Sequence, residues 1–258
     1  MHRVFLDVTG DGTSPLKVEG GAYHHLVRVL RHRDGDWFAG LTGDGHEYRC
    51  RIIKVDTTQK YLEIEIQGEF DRDRCPAEAI HLYPALLKST SFTVLLRKTT
   101  EMGVSRITPV VTTRSVPRFQ GEKELKKKLD RWIAIVRDAT EQCGRRLVPD
   151  VCGPLPLPSA LATVPGDHAV YYLDRAGVPL VSRLLEQASG GVSMFVGSEG
   201  GFTEEEQKLF DAGGVRSVSL GPHIFRADTA SIAACAVVTA VRQMWCQEAI
   251  TRIIHKSS

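Results

Sequence analysis

The chain has 258 residues, 42% of them hydrophobic and 25% charged, and a formal net charge of +2. This is an ordinary globular composition, too long for one small domain and sufficient for one large or two modest ones. No apolar run reaches membrane-span length, the N-terminus lacks the charged-then-apolar pattern of a secretory signal, and the six cysteines form no C-x-x-C pair, so a soluble cytoplasmic protein with reduced thiols is expected, without a zinc site or disulfide framework.

Residues 1–70 read as a small β-rich unit. Val4–Leu6 is strand-like, and Asp7–Gly21 is turn-rich. Ala22–Arg31 has a short helical pattern, with Leu26, Val27 and Leu30 apolar among His24, His25, Arg28 and Arg31. Trp37–Ala39 is a strand, Leu41–Gly45 a hairpin signal, and Tyr48–Val55 and Tyr61–Gln67 alternate as half-buried strands, with Leu62, Ile64 and Ile66 on one face. Phe70–Ala77 is charged and aperiodic, which places a domain boundary there.

From Ile80 the rhythm changes to strands alternating with helices, the signature of an α/β domain. Ile80–Ala85 is a strand, and Ser91–Met102 a helix closed by Gly103. Arg106–Val111 is a strand, and Glu122–Cys143 a long helix with Leu125, Leu129, Trp132, Ile133, Val136 and Ala139 at helical spacing. Leu147–Pro158, with four prolines, reads as an extended connection. Strands follow at Ala169–Leu173, Val192–Val196 and Val215–Leu220, and helices at Leu180–Ala188, Thr203–Ala212 and Thr229–Glu248.

The positive charge is concentrated in one segment. Residues 86–150 carry 14 lysines and arginines against 7 acids, whereas the segments on either side are net negative. Such concentration is the electrostatic footprint expected for a polyanion, although the run Lys123–Arg131 by itself reads as a plain surface helix.

Two stretches stand out. Phe195 to Glu206 reads as a strand end, a turn with three glycines around Glu199, and a helix N-capped by Thr203. Ser219 to Ala230 is a second glycine-bearing loop between a strand and a helix. Alone, either is compatible with an ordinary turn. Together they imply two neighbouring strand ends facing one crevice, where α/β sheets bind ligands. No G-x-x-x-x-G-K-[ST], strand-following G-x-G-x-x-G, H-E-x-x-H or G-x-S-x-G is present.

Five motifs in order carry a family resemblance. They are Gly197-Ser198-Glu199-Gly200-Gly201-Phe202, the run Leu220–Ala230, Lys98–Val104, Trp132 with Ala139–Arg145, and the N-terminal His25–Arg31 with Arg3-Val4-Phe5. The chain resembles the RsmE family of 16S rRNA uridine N3-methyltransferases in the SPOUT superfamily. Ser198 stands where the family has proline, Phe225 where it has leucine, and Asp228 where it has glutamate. The resemblance implies an α/β fold with an N-terminal PUA-like β-barrel (residues 1–72), and a C-terminal SPOUT domain (73–258) holding a deep trefoil knot. It implies S-adenosylmethionine as cofactor, no metal, a homodimer, and 16S rRNA as substrate within the small ribosomal subunit. A SPOUT methyltransferase on a different RNA and a non-catalytic RNA-binding module are the alternatives.

On this basis Leu173, Val196, Gly197, Glu199, Gly201, Ser219, Leu220, Gly221, Ile224, Phe225 and Arg226 are expected to hold the cofactor. Ionising the uracil imide at neutral pH costs about 3 kcal/mol for a group titrating roughly two units higher. Arg226 is the candidate to stabilise the developing anion, and Asp228 and Glu199 are candidates for the base or for holding the cofactor's ribose or amino group. Arg3, His25, Arg28, Arg31, Lys88, Lys98, Arg114, Gln142 and Arg145 are the candidates for RNA contact.

Overall fold

The computed structural model describes residues 1–6, 15–43, 45–70, 79–115, 121–187 and 190–256, with side chains described as far as residue 244. The expected domain boundary, the tip of the 41–45 hairpin, Gly10 and Gly12, and Ala188 at the end of one expected helix fall outside these residues. The chain forms two compact units, one of residues 1–73 with 140–148 and one of residues 74–139 with 149–258.

The first unit is a five-stranded sheet in the order β1 (Arg3–Phe5), β3 (Trp37–Leu41), β4 (Glu47–Asp56), β5 (Tyr61–Glu69) and β2 (Leu16–Val18). All pairings are antiparallel except β1 with β3. Period-two burial orients these strands: Cys50 and Ile52 of β4 and Leu62 and Ile64 of β5 are fully buried. Ile66 shares their parity but is 36% exposed, beyond the core. β2 lies inside the stretch that reads as turns. Only Leu16 and Val18 face the core, too short a pattern to stand out among glycines. Helix α1 (Gly20–Tyr23) widens into a π-helical turn at His24–Val29, with Leu26 buried and His24, Arg28 and Val29 outward. Arg31 follows at φ 58°, ending the helix.

Inside this unit Glu47, with only 3% of its side chain exposed, accepts from Arg3 Nε at 2.9 Å and Arg146 Nε at 3.2 Å. Glu141 accepts the Phe5 amide at 2.9 Å. Residues 140–148 thus contribute charge partners as well as backbone to the first unit.

The second unit has a six-stranded, all-parallel sheet in the order β13 (Arg216–Ser219), β11 (Ala169–Pro179), β12 (Val192–Val196), β6 (Ile80–Pro84), β7 (Arg106–Ile107) and β9 (Asp150–Val151). The helices are α2 (Ser89–Glu101), α3 (Glu122–Cys143), α4 (Leu157–Ala162), α5 (Leu180–Leu185), α6 (Glu204–Ala212) and α7 (Ala227–Lys256). Every residue of β12 is buried, as a strand covered on both faces requires. Tyr172 and Phe210 stack at 4.5 Å, with Phe195 and Phe202 edge-on to Phe210. α7 packs on α2, α5, β12 and β6.

Two elements differ from the sequence reading. The strand expected at Arg106–Val111 is divided at Pro109, which lacks an N–H. Its second part, β8 (Val110–Val111), pairs instead with β10 (Leu155–Pro156). The connection expected to be extended to Pro158 turns helical at Leu157, with proline in the first turn of α4, where its missing N–H costs no hydrogen bond.

Candidate active site

The site is assembled from three adjacent strand ends. β12 stops at Val196, and the chain turns through a loop in which the Gly201 amide donates to Ser198 O at 2.8 Å. Gly201 sits at φ 69°, a region costly for any residue with a Cβ. Thr203 caps α6 reciprocally, its hydroxyl taking the Glu206 amide at 3.3 Å and its amide donating to Glu206 Oε2 at 2.8 Å. At the end of β13 the Ser219 hydroxyl accepts the Gly221 amide at 3.1 Å. Between them β11 bulges. Val218 pairs first with Leu173 and again with Val178, so residues 174–177 leave the sheet. Asp174 steadies the bulge by accepting the Ala176 amide at 2.7 Å and Gln207 Nε2 at 3.1 Å.

These strand ends enclose a cleft of about 390 Å³. Ten of the eleven expected cofactor residues line it: Leu173, Val196, Gly197, Glu199, Gly201, Ser219, Leu220, Gly221, Ile224 and Phe225. Arg226 does not. It is exposed, one residue before α7. The sequence reading missed Asp174, Arg175 and Ala176 of the bulge, Val218 and His223, and Ala227 and Ala230 on the first turn of α7. The i, i+3 spacing of those two alanines was a usable signal; the bulge had none, because it interrupts what reads as a plain strand end.

Glu199 is exposed on the cleft wall, whereas Asp228 lies at the start of α7 and accepts the Thr229 amide at 2.8 Å. Among the described residues no ion pair joins Arg226 to Asp228. The guanidinium is therefore not held as a helix-start partner.

The candidate RNA residues are divided between the units. His25, Arg28 and Arg31 lie on and just after the π-helical turn, with Arg28 and Arg31 exposed. Arg3 is engaged with Glu47, Gln142 is exposed at the end of α3, and Arg145 is half-buried, which lowers its pKa. In the second unit Lys88 is exposed and Lys98 is paired with Glu101 at 2.9 Å. Arg114 is turned onto the cleft loop, where Nη1 donates to Gly200 O and, at 3.4 Å, to Phe202 O. Ser198, the departure from the usual proline, donates its hydroxyl to Arg114 O at 3.3 Å.

A larger cavity, about 620 Å³, opens at the other end of the sheet, near His168, Arg183 and Arg216. It contains none of the glycine-loop residues, and Arg183 is already paired with Glu186 at 3.0 Å. Size alone does not make it the reactive centre. Nearby, the rings of His81 and His168 lie 4.5 Å apart. Burial, then the neighbouring His168 and Arg106, push the His81 pKa down to about 4.

Residues 74–239 match the RNA methyltransferase domain family, and residues 18–65 match its RNA methyltransferase PUA domain. The chain is 32% identical over 224 residues to ribosomal RNA small subunit methyltransferase E of Synechocystis, covering 84% of this chain and 70% of that protein. Its counterpart in Bacillus subtilis is 27% identical, covering 93% and 96%. Among solved structures, the Neisseria gonorrhoeae ribosomal RNA small subunit methyltransferase E bound to S-adenosylmethionine superposes with a TM-score of 0.84 at 28% identity, over 93% of this chain and 98% of that one. A Legionella pneumophila protein in complex with the same cofactor gives 0.80 at 28% identity, over 92% and 96%. With a PUA unit followed by a parallel sheet whose glycine loops close one cleft, the chain belongs to the ribosomal RNA small subunit methyltransferase E family.

Proposed function

We propose that this chain transfers a methyl group from S-adenosylmethionine to N3 of a uridine in 16S ribosomal RNA. The observation that carries the proposal is the cleft at the carboxyl ends of β11, β12 and β13, walled by both glycine-bearing loops.

The residues present fit the cofactor. Leu173, Val196, Val218, Ala227 and Ala230 supply apolar wall for an adenine, and a Cβ added at Gly201 or Gly221 meets nothing within 4 Å, so the backbone is open to close approach there. The cleft offers carboxylates, from Glu199 and Asp174, to a ligand carrying ammonium and sulfonium charge. When bound, S-adenosylmethionine supplies an electrophilic methyl group, and the transfer needs no metal.

The chain's own part is to position the uracil and ease its ionisation. Arg226, exposed beside two cleft-lining residues, Phe225 and Ala227, is placed to stabilise negative charge developing on the imide. Glu199 takes the imide proton or holds the cofactor's amino group, and Asp228, tied to the Thr229 amide, orients the start of α7. Half-buried His25 and exposed Arg28, Arg31, Lys88 and Gln142 are assigned to the RNA, with Arg145 at the margin. A target base within a helix has to leave its stack to reach the cleft.

The same reading includes a homodimer acting on the small ribosomal subunit in the cytoplasm, the 1–72 and 73–258 domain division, and a knotted second domain. No helix among the described residues is long and apolar enough to cross a membrane. After β13, at the sheet edge, the chain returns as α7 to pack on the central strands β12 and β6, a path that a knotted and an unknotted connection share.

The test is mass mapping of small-subunit rRNA from a strain lacking the enzyme, after incubation with purified protein and S-adenosylmethionine. One new N3-methyluridine is expected. Methylation confined to another RNA or another atom overturns the assignment.

A further inference from the structure

A capping box uses one oxygen of its glutamate. Glu206 uses both. Oε2 takes the Thr203 amide, and Oε1 accepts the amide of Thr113 at 2.8 Å, from a turn 93 residues away in sequence. Glu206 is buried, 6% exposed, and each of its two carboxyl oxygens accepts one backbone amide.

Thr113 belongs to a closed four-residue turn. The Ser115 amide donates to Thr112 O at 3.1 Å, and the two hydroxyls lie 2.8 Å apart. From that turn Arg114 reaches Gly200 O and Phe202 O, while its own carbonyl accepts from Ser198. Three contacts thus join the 112–115 turn to the 197–203 loop directly, and Glu206 fastens the turn to the helix that the same loop enters.

We infer that Glu206 is a positioning residue of the cleft, which holds the 112–115 turn against the glycine loop so that Glu199, Gly200 and Gly201 form a fixed wall. The inference rests on the reading of the cleft as the S-adenosylmethionine site. Glu206 does not line the cleft. It acts through Arg114, and a wall displaced by about 1 Å is enough to weaken binding and slow transfer steeply.

The experiment compares the full-length protein with E206Q and T203A by calorimetric titration with S-adenosylmethionine. E206Q keeps the side-chain shape but presents an N–H where one amide expects an acceptor, and its cofactor Kd is expected to rise about tenfold. T203A removes the hydroxyl cap and leaves the Thr113 bond intact; its melting temperature falls while its Kd stays within threefold. A rise of threefold or less in E206Q, or one that T203A matches, overturns the inference.

The unmodified protein adds a readout that needs no variant. Saturating cofactor slows hydrogen exchange at the Thr113 amide, and an unchanged rate counts against the coupling. Absence of cofactor binding to the unmodified protein defeats the reading of the cleft instead. In that case exchange at Thr113 decides the inference alone: at least tenfold faster in E206Q than in T203A supports it, and a smaller difference overturns it.

Discussion

Gly200 lies directly beneath the stem of Arg114. A Cβ built on Gly200 stands 2.9 Å from Arg114 Cδ, while the guanidinium donates to the carbonyl of Gly200 itself. A side chain added at this cleft-lining glycine would meet a protein side chain. Because a long side chain can yield, Gly200→Ala is expected to displace the guanidinium and break its bonds to residues 200 and 202. Stability falls by about 1 kcal/mol, the scale of one or two hydrogen bonds. Cofactor affinity falls about tenfold, an order-of-magnitude expectation at 1.4 kcal/mol per decade. Urea denaturation and cofactor titration measure the two effects separately.

Arg226 makes no ion pair with Asp228 and lies outside the cleft wall, so its removal disturbs neither folding nor the cofactor pocket. Arg226→Ala is expected to bind S-adenosylmethionine normally and to lose at least about a hundredfold in methyl transfer, the scale of one lost electrostatic donor at a developing anion. Radiolabelled transfer to rRNA is the assay, and near-normal turnover removes Arg226 from the mechanism.

Arg28 and Arg31 are exposed at and after the π-helical turn. Replacing both with alanine is expected to weaken RNA binding and flatten its salt dependence by about 1.4 logarithmic units per decade of salt, for two single-strand phosphate contacts at roughly 0.7 each. Filter retention across a salt series checks this. An unchanged slope takes the turn out of the RNA surface.

His81 carries a pH signature. Its pKa is about 4 in the folded chain, against an ordinary value of about 6.5 in the unfolded one. Between those limits the unfolded state binds more protons, so stability is full above about pH 6.5 and is lost progressively as pH falls toward about 4. The loss is about 1–2 kcal/mol once partial solvation is allowed for. Denaturation midpoints measured from pH 7 to pH 4 report it, and His81→Asn should flatten the curve. A midpoint that rises on acidification would falsify the assignment.

Signals local in sequence were legible. Thr203 followed by glutamates announced a capped helix, and β12 spans the expected Val192–Val196 because five buried residues in a row need no long-range information. The two glycine loops implied one crevice between neighbouring strand ends; the crevice is shared, but β11 lies between β12 and β13, so the two loop-bearing strands are not neighbours. What stayed hidden depends on distant partners. Glu206 as the anchor of Thr113 cannot be read from either segment alone. Nor can Arg114, which its charge marked for RNA, be read as a ligand of loop carbonyls. The bulge at 174–177 exists because Val218 pairs twice across it, a register event with no local code.

The charge centre at Glu47 bears on how such proteins can be recombined. Its two arginines come from the beginning of the chain and from Arg146, so the first unit is sequence-discontinuous. A chimera cut once near residue 73 would inherit the carboxylate from one parent and Arg146 from the other. Any mismatch there strands a buried charge, at about 3–5 kcal/mol. Exchange between relatives therefore has to carry residues 140–148 along with the amino-terminal module, and sequence drift at positions 3, 47 and 146 is expected to be correlated.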